Sequence, residues 1–297
     1  MPLLPADGQP ESPTPLGAEE YIEQEHFFRV LRERTRDNVP VQEALAQVRD
    51  EILATTNLPL GIDYLRTETL HGGRLNPAMS RIGHYFTPFQ TFVIASAEAD
   101  MTHFDMPTAL SILERLAGYM ANRPTAPGLF IYQFECVARN RLGYDGGLTA
   151  AAADPFYDDV WKDWIIRVRG RLGAADFANL IYFRSEEHVE QVRRRLQNPD
   201  WRPEYAILFG RSEGRIARAN RGKDPLYMFA ALQRQLGYPR VPRVEPKTAD
   251  KLPPALEARL MRLEKRITLL EAETKGTGID LSEFMKKPEP FGEAPNP

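Results

Sequence analysis

Apolar residues recur at three- and four-residue spacings through most of residues 19–172, the pattern of helices that each bury one face. Asn38 and Pro40 open a helix that keeps Val41, Leu45, Val48 and Ile52 on one side, with Pro59 bounding it. Asn76 as cap and Pro77 at the first position predict a long helix running through Ala97. Ile82, Phe86, Phe89, Phe92, Val93 and Ile94 make it apolar almost all round, so it is expected to be the buried central helix, kinked at Pro88. Asp105 opens a helix carrying Leu110, Leu113, Leu116 and Met120, and another is expected from Leu129 to Leu142, stopping at Gly143. Tyr144-Asp145-Gly146-Gly147 reads as a turn. Asp154 and Pro155 repeat the cap-and-proline signature before Trp161, Trp164, Ile165 and Val168.

After Gly173 the period changes. Residues 177–183 are an apolar strand candidate, followed by a helix from Ser185 using Val189, Val192 and Leu196. Residues 205–209 predict a second strand and residues 215–219 a third. Asp224 and Pro225 start a helix carrying Phe229, Leu232 and Leu236, closed by Gly237, and residues 241–244 complete the series as a short strand. The order β-α-β-β-α-β is that of the ferredoxin-like split unit, an order that serves too many functions to indicate one.

A third pattern begins at Leu256. Heptad a positions fall on Leu260 and Ile267, and d positions on Leu256, Leu263 and Leu270. The flanking charges are ordered: Arg259 and Arg266 at g meet Glu264 and Glu271 at e of a parallel partner, whereas an antiparallel pair would set like charges together. Isolated helices of this length are marginal in water, so the repeat predicts a helix completed by a second copy. The expected architecture is therefore mainly α, in six parts. They are a proline-rich leader (1–18), a helical domain (19–172), a small α/β domain (173–245), a proline-rich linker (246–254), a parallel coiled coil (255–275) and a flexible tail (276–297).

Charge sharpens this division. Residues 1–161 hold 12 Lys or Arg against 22 Asp or Glu, whereas residues 162–243 hold 17 against 9, an acidic module followed by a basic one within a chain of net charge −3. A single cysteine, Cys136, excludes an internal disulfide and points to a reducing compartment. It lies in an apolar run and is read as a buried hydrophobe. The leader has no basic residue and no long apolar run, so neither a signal peptide nor a membrane anchor is expected there, and the location expected is cytoplasmic.

Candidate chemistry is sparse. Motifs for phosphate loops, nucleophile elbows, zinc proteases and dithiol redox centres do not occur. Three of the five histidines follow an acid by three residues: Glu23 with His26, Glu68 with His71, and Asp100 with His103. On helices that spacing serves carboxylate-bridged metal bundles, with Glu135 or Glu114 as the further carboxylate the site needs. Helix-end electrostatics account for much of the same pattern. Arg193, Arg194, Arg195, Arg211, Arg215, Arg218, Arg221 and Lys223 supply a phosphate-binding set, with Tyr182 and Phe183 placed to stack bases. Ile279, Leu281, Phe284 and Met285 form an apolar cluster in the tail that resembles a helix-in-groove docking peptide. The leading expectation is a non-catalytic homodimeric adaptor without cofactor. A nucleic-acid-binding dimer and a metal-dependent helical oxidoreductase are the alternatives.

Overall fold

Residues 15–100, 103–244 and 267 are described by the computed structural model, and their regular structure is helical. In chain order the helices are α1 (Ala18–Arg36), α2 (Val41–Arg49), α3 (Leu58–Gly72), α4 (Leu75–Arg81), α5 (Pro88–Glu98), α6 (Met106–Ala121) and α7 (Ala126–Asn140). They continue with α8 (Tyr144–Ala152), α9 (Asp159–Arg171), α10 (Phe177–Tyr182), α11 (Glu186–Leu196), α12 (Arg211–Ala219) and α13 (Pro225–Leu236). The described residues up to Val244 belong to one compact unit. Within that unit α1 lies along α6, and Arg32 pairs with Glu114 across that seam at 3.1 Å.

Several helix starts follow the capping chemistry of the sequence. Asp105 accepts the amide of Thr108 at 2.8 Å, and Asp224 that of Leu226 at 2.9 Å, each with a proline in the first turn behind it. Gly237 ends α13 at φ 68°, a left-handed conformation that costs glycine little.

Other expectations are overturned. The long helix kinked at Pro88 is two helices, because α4 stops at Arg81 and Pro88 is the start of α5. Thr87 and Gln90 form a reciprocal capping box there, and a residue lacking N–H suits a position whose amide has no intrahelical partner. Asp154 is not a helix cap. It is buried, takes the Phe156 amide at 3.1 Å and the Gln133 side chain at 3.2 Å, and leaves Asp158 to cap α9. The glycines read as a turn at 144–147 lie inside α8, where their missing side chains permit close approach. A Cβ on Gly147 would stand 2.5 Å from Val137 Cγ2.

The α/β unit is the largest correction: no sheet exists among the described residues, so the ferredoxin-like order does not apply. Residues 177–183 form α10 and its C-cap, started by Asp176, which accepts the Ala178 amide at 3.0 Å. Phe177, Ala178, Leu180, Ile181 and Tyr182 are all buried, and burial so nearly continuous leaves no period to distinguish helix from strand. Residues 215–219 belong to α12, whose glycine, alanine and arginines alternate between a packed face and a wet one. Residues 205–209 run without regular structure except for one isolated parallel bridge from Phe209 to Ser185, since no neighbouring strand remains to pair with. Residues 241–244 make no ladder either, although Val241 is buried.

One core cluster runs from Tyr21 to Val241, so the boundary drawn at 172/173 marks no break in packing. Phe134 of α7 stacks on Phe177 of α10, and Phe209 is set edge-on to Trp161 at 5.5 Å and Trp164 at 5.3 Å. Each fully buried phenyl ring contributes about 2–3 kcal/mol of apolar transfer energy.

Candidate functional site

The chemistry of the last helices starts at a turn. Ser185 caps α11 and also donates to the Tyr182 carbonyl at 2.7 Å, which fixes the angle between α10 and α11. Helix α12 then lies against this corner at Gly214, where any Cβ would stand 2.3 Å from Ser185 Oγ and 2.7 Å from Glu187 Cβ. Glycine is required at that crossing. With α12 so placed, Arg211, Arg215 and Arg218, spaced four and three residues apart, share the face that looks at Glu187.

Glu187 is nearly buried, and three guanidiniums surround it: Arg215 Nε at 3.3 Å, Arg218 Nη1 at 3.4 Å and Arg211 Nε at 3.8 Å. Arg211 also reaches Glu190, which binds Arg194 as well. Four guanidiniums therefore face two carboxylates, leaving an excess of two positive charges. Among the described residues the hydrogen bonds of these two arginines to Glu187 use Arg215 Nε and Arg218 Nη1, not the Nη atoms of Arg215 or the Nη2 of Arg218. Forked guanidinium donors of this kind suit an oxyanion.

A hydrogen-bonded row continues from this centre. Gln191 donates to Glu187 at 2.9 Å and accepts from the Tyr182 hydroxyl at 3.1 Å. Over the Tyr182 ring lies the Arg221 guanidinium, 3.8 Å from its centroid and 5.8 Å from that of Phe183. Phe183 is half exposed. His188 meets both rings edge-on, its Nδ1 is 2.9 Å from the Tyr205 hydroxyl, and Arg184 lies 4.8 Å over the Tyr205 ring. Burial first, and Arg221 second, lower the His188 pKa below its ordinary value.

The arginine set expected from the sequence is thus partly assembled. Arg211, Arg215, Arg218 and Arg194 meet around Glu187 and Glu190, and Arg221 joins through Tyr182. Arg193 is tied to the Trp201 carbonyl at 2.9 Å, and Lys223 to the Ala219 carbonyl at 2.9 Å. Arg195 has no partner among the described residues and stands exposed. Tyr182 is buried under Arg221, so of the two aromatics only Phe183 is substantially exposed. Sequence reasoning missed Glu187 as the organiser, along with Gln191, Arg184, His188 and Tyr205. The 4–3 arginine spacing was the available signal, and assigning residues 215–219 to a strand concealed it.

The metal set is not brought together. Glu23 accepts the Leu53 amide at 2.9 Å, while His26 sits 3.3 Å from Glu51 and 2.8 Å from an Arg29 nitrogen. Glu68 pairs with Arg81, Asp100 with Arg74 at 3.4 Å, and His71 ends α3. The ring of His103 bonds the Asn140 carbonyl at 2.9 Å. Arg139 and Tyr238 occupy the two oxygens of Glu135, and Arg32 holds Glu114, whose carboxyl is raised chiefly by burial. Among the described residues no three of His, Cys, Asp or Glu are grouped to hold a metal. Burial also pushes the Cys136 thiol well above its ordinary pKa, which leaves it protonated and unreactive.

The heptad residues Leu256, Arg259, Leu260, Leu263, Glu264, Arg266, Leu270 and Glu271 lie outside the described residues, as do Ile279, Leu281, Phe284 and Met285. Ile267 is described: it is helical and 54% exposed. Upstream, the path from α13 to Val244 is clamped to the core. Tyr238 donates to Glu135 at 2.7 Å, Arg115 to the Arg240 carbonyl, and Asn140 to the Pro242 carbonyl at 3.1 Å. Among the described residues no helix is long and apolar enough to cross a membrane.

Comparison with protein-family models, with characterised proteins and with solved structures found no match to this chain.

Proposed function

We propose that the protein is a non-catalytic, homodimeric adaptor of the cytoplasm, joined through residues 255–275 as a parallel coiled coil. The observation that carries this reading is Ile267. Ile267 is an isoleucine at a seam position, helical and more than half exposed, and an apolar side chain so placed gains from a partner's cover. The ordered Arg259–Glu264 and Arg266–Glu271 pairing supports the same partner, a second copy in parallel register. The clamp on residues 238–242 supports an adaptor role, because it holds the last described stretch of the body against its core. Two tails, each carrying residues 279–285, then present a bivalent docking signal with the avidity that pairing confers.

Light scattering of the full chain, set beside Ile267→Lys and a truncation after residue 253, tests the assembly. A dimer that becomes a monomer in both variants is expected, and a monomeric full chain ends the proposal. Leu256→Cys tests orientation, because equivalent d positions meet only in the parallel register. Oxidation should link two chains, with buried Cys136 remaining a free thiol. No cross-link from a proven dimer would overturn the parallel arrangement.

A further inference from the structure

We infer that the face built by α10, α11 and α12 binds single-stranded nucleic acid. This inference does not depend on dimerisation. Its basis is the continuous row from Arg211, Arg215 and Arg218 around Glu187, through Gln191 and Tyr182, to Arg221 beside the half-exposed Phe183 ring.

Each part of the row has a task in such binding. Glu187 gathers three guanidiniums that would otherwise repel one another, and the charge excess remains after it and Glu190 are counted. The arginines are therefore preorganised without being neutralised, and the Arg215 and Arg218 side chains stay more than half exposed, available to a phosphate. A single phosphoryl group would be satisfied at the Glu187 fan alone. The row goes on, however, to a second cationic point at Arg221, which is held in place by stacking on Tyr182. Next to that point, Phe183 is half exposed, with Tyr182 and His188 packed against its ring at 63° and 84°. Two cationic points with a half-exposed aromatic ring beside the second match a ligand that carries both phosphates and planar bases. A double helix hides its bases from such a ring, so the unpaired strand is favoured.

The row consists of arginines and an aromatic ring, which engage phosphates and base faces, while Gln191 is held by Glu187 and Tyr182. Binding should be tolerant of sequence and sensitive to salt. With three phosphates engaged, affinity for a single strand should fall about 20-fold between 50 and 200 mM salt.

The test is fluorescence anisotropy with the full chain and a labelled oligo-uridine 20-mer. Competitors are the matching duplex, inorganic polyphosphate and a singly phosphorylated peptide. The expected result is saturable binding with the stated salt dependence, preferred over duplex and over both other anions. Phe183→Ala should weaken it about 10-fold at unchanged salt slope, because it removes stacking and no charge. Arg221→Gln should weaken it and flatten the slope. Arg215→Gln with Arg218→Gln should do so more strongly. Because that double variant also leaves Glu187 under-compensated, its fold is checked by circular dichroism, and the two exposed single variants decide the matter if it unfolds. Absence of binding, equal or better competition by polyphosphate or the phosphopeptide, or indifference to Phe183→Ala and Arg221→Gln would each overturn the inference.

Discussion

The rings of Phe134 and Phe177 lie 3.8 Å apart and 4° from parallel, which joins α7 of the acidic half to α10 of the basic half inside one core. Trp161, Trp164 and Phe209 extend the same contact, so the halves distinguished by charge are a single body by packing. A basic segment and an acidic one need not be separate domains.

Phe177→Ala should therefore destabilise the whole of residues 15–244 together, by about 3–5 kcal/mol, as large-to-small changes at buried aromatics do. In urea, tryptophan fluorescence and far-ultraviolet circular dichroism should shift to a lower midpoint and remain superimposed. Two separated transitions would show that the halves unfold independently.

Asp154 makes stability depend on pH in an unusual direction. Burial, opposed by hydrogen bonds from Phe156, Gln133 and Thr87, raises its carboxyl from 3.8 to about 6 in the folded protein. Between those values the folded state holds the proton more tightly than the unfolded chain. The carboxyl therefore favours the fold most below about pH 4, and that advantage disappears as pH rises through 6. The difference corresponds to about 3 kcal/mol. Wild type compared with Asp154→Asn in urea at pH 4 and pH 7 should show the gap between the two proteins moving by about that amount, with wild type losing ground at pH 7. A gap independent of pH would mean that Asp154 keeps an ordinary pKa.

Glu187 tests whether the arginine fan is held by charge or by packing. Isosteric Glu187→Gln keeps the bond from Gln191 within reach but removes the counter-charge from Arg211, Arg215 and Arg218. Breaking a partly buried ion cluster from one side should cost about 2–4 kcal/mol, and added salt should restore part of it. A melting temperature equal to that of wild type at low salt would assign the fold of this corner to packing at Gly214 alone.

The clamp on the C-terminal exit is checked at Tyr238. In Tyr238→Phe the Glu135 Oε2 atom loses its donor in a buried site, a cost of about 1–3 kcal/mol. Hydrogen exchange should accelerate in residues 238–244 beyond any change in global stability, because the clamp is local. Uniform acceleration across the chain would show instead that this bond serves the core as a whole.

The sequence by itself determined the helices whose ends are chemically marked. Asp105, Ser185, Asp224 and Gly237 act through hydrogen bonds and backbone angles within three or four residues, so their meaning can be read locally. The mainly helical class and the burial of Cys136 were legible for similar reasons, the one from period and the other from its apolar run. Only the tertiary structure decided what residues 177–183, 205–209 and 215–219 become. Short runs carry too little period, and whether they pair as strands or coil as helices depends on packing partners: α7 for Phe177, α9 for Phe209, and α10, α11 and α13 for α12. Glu187 makes the same point for the site. Nothing along the chain singles it out from Glu186 beside it; Gly214 lets α12 come close enough to set three arginines around it. Capping is a short-range interaction and charge convergence is a consequence of packing, which is why one was readable along the chain and the other was not.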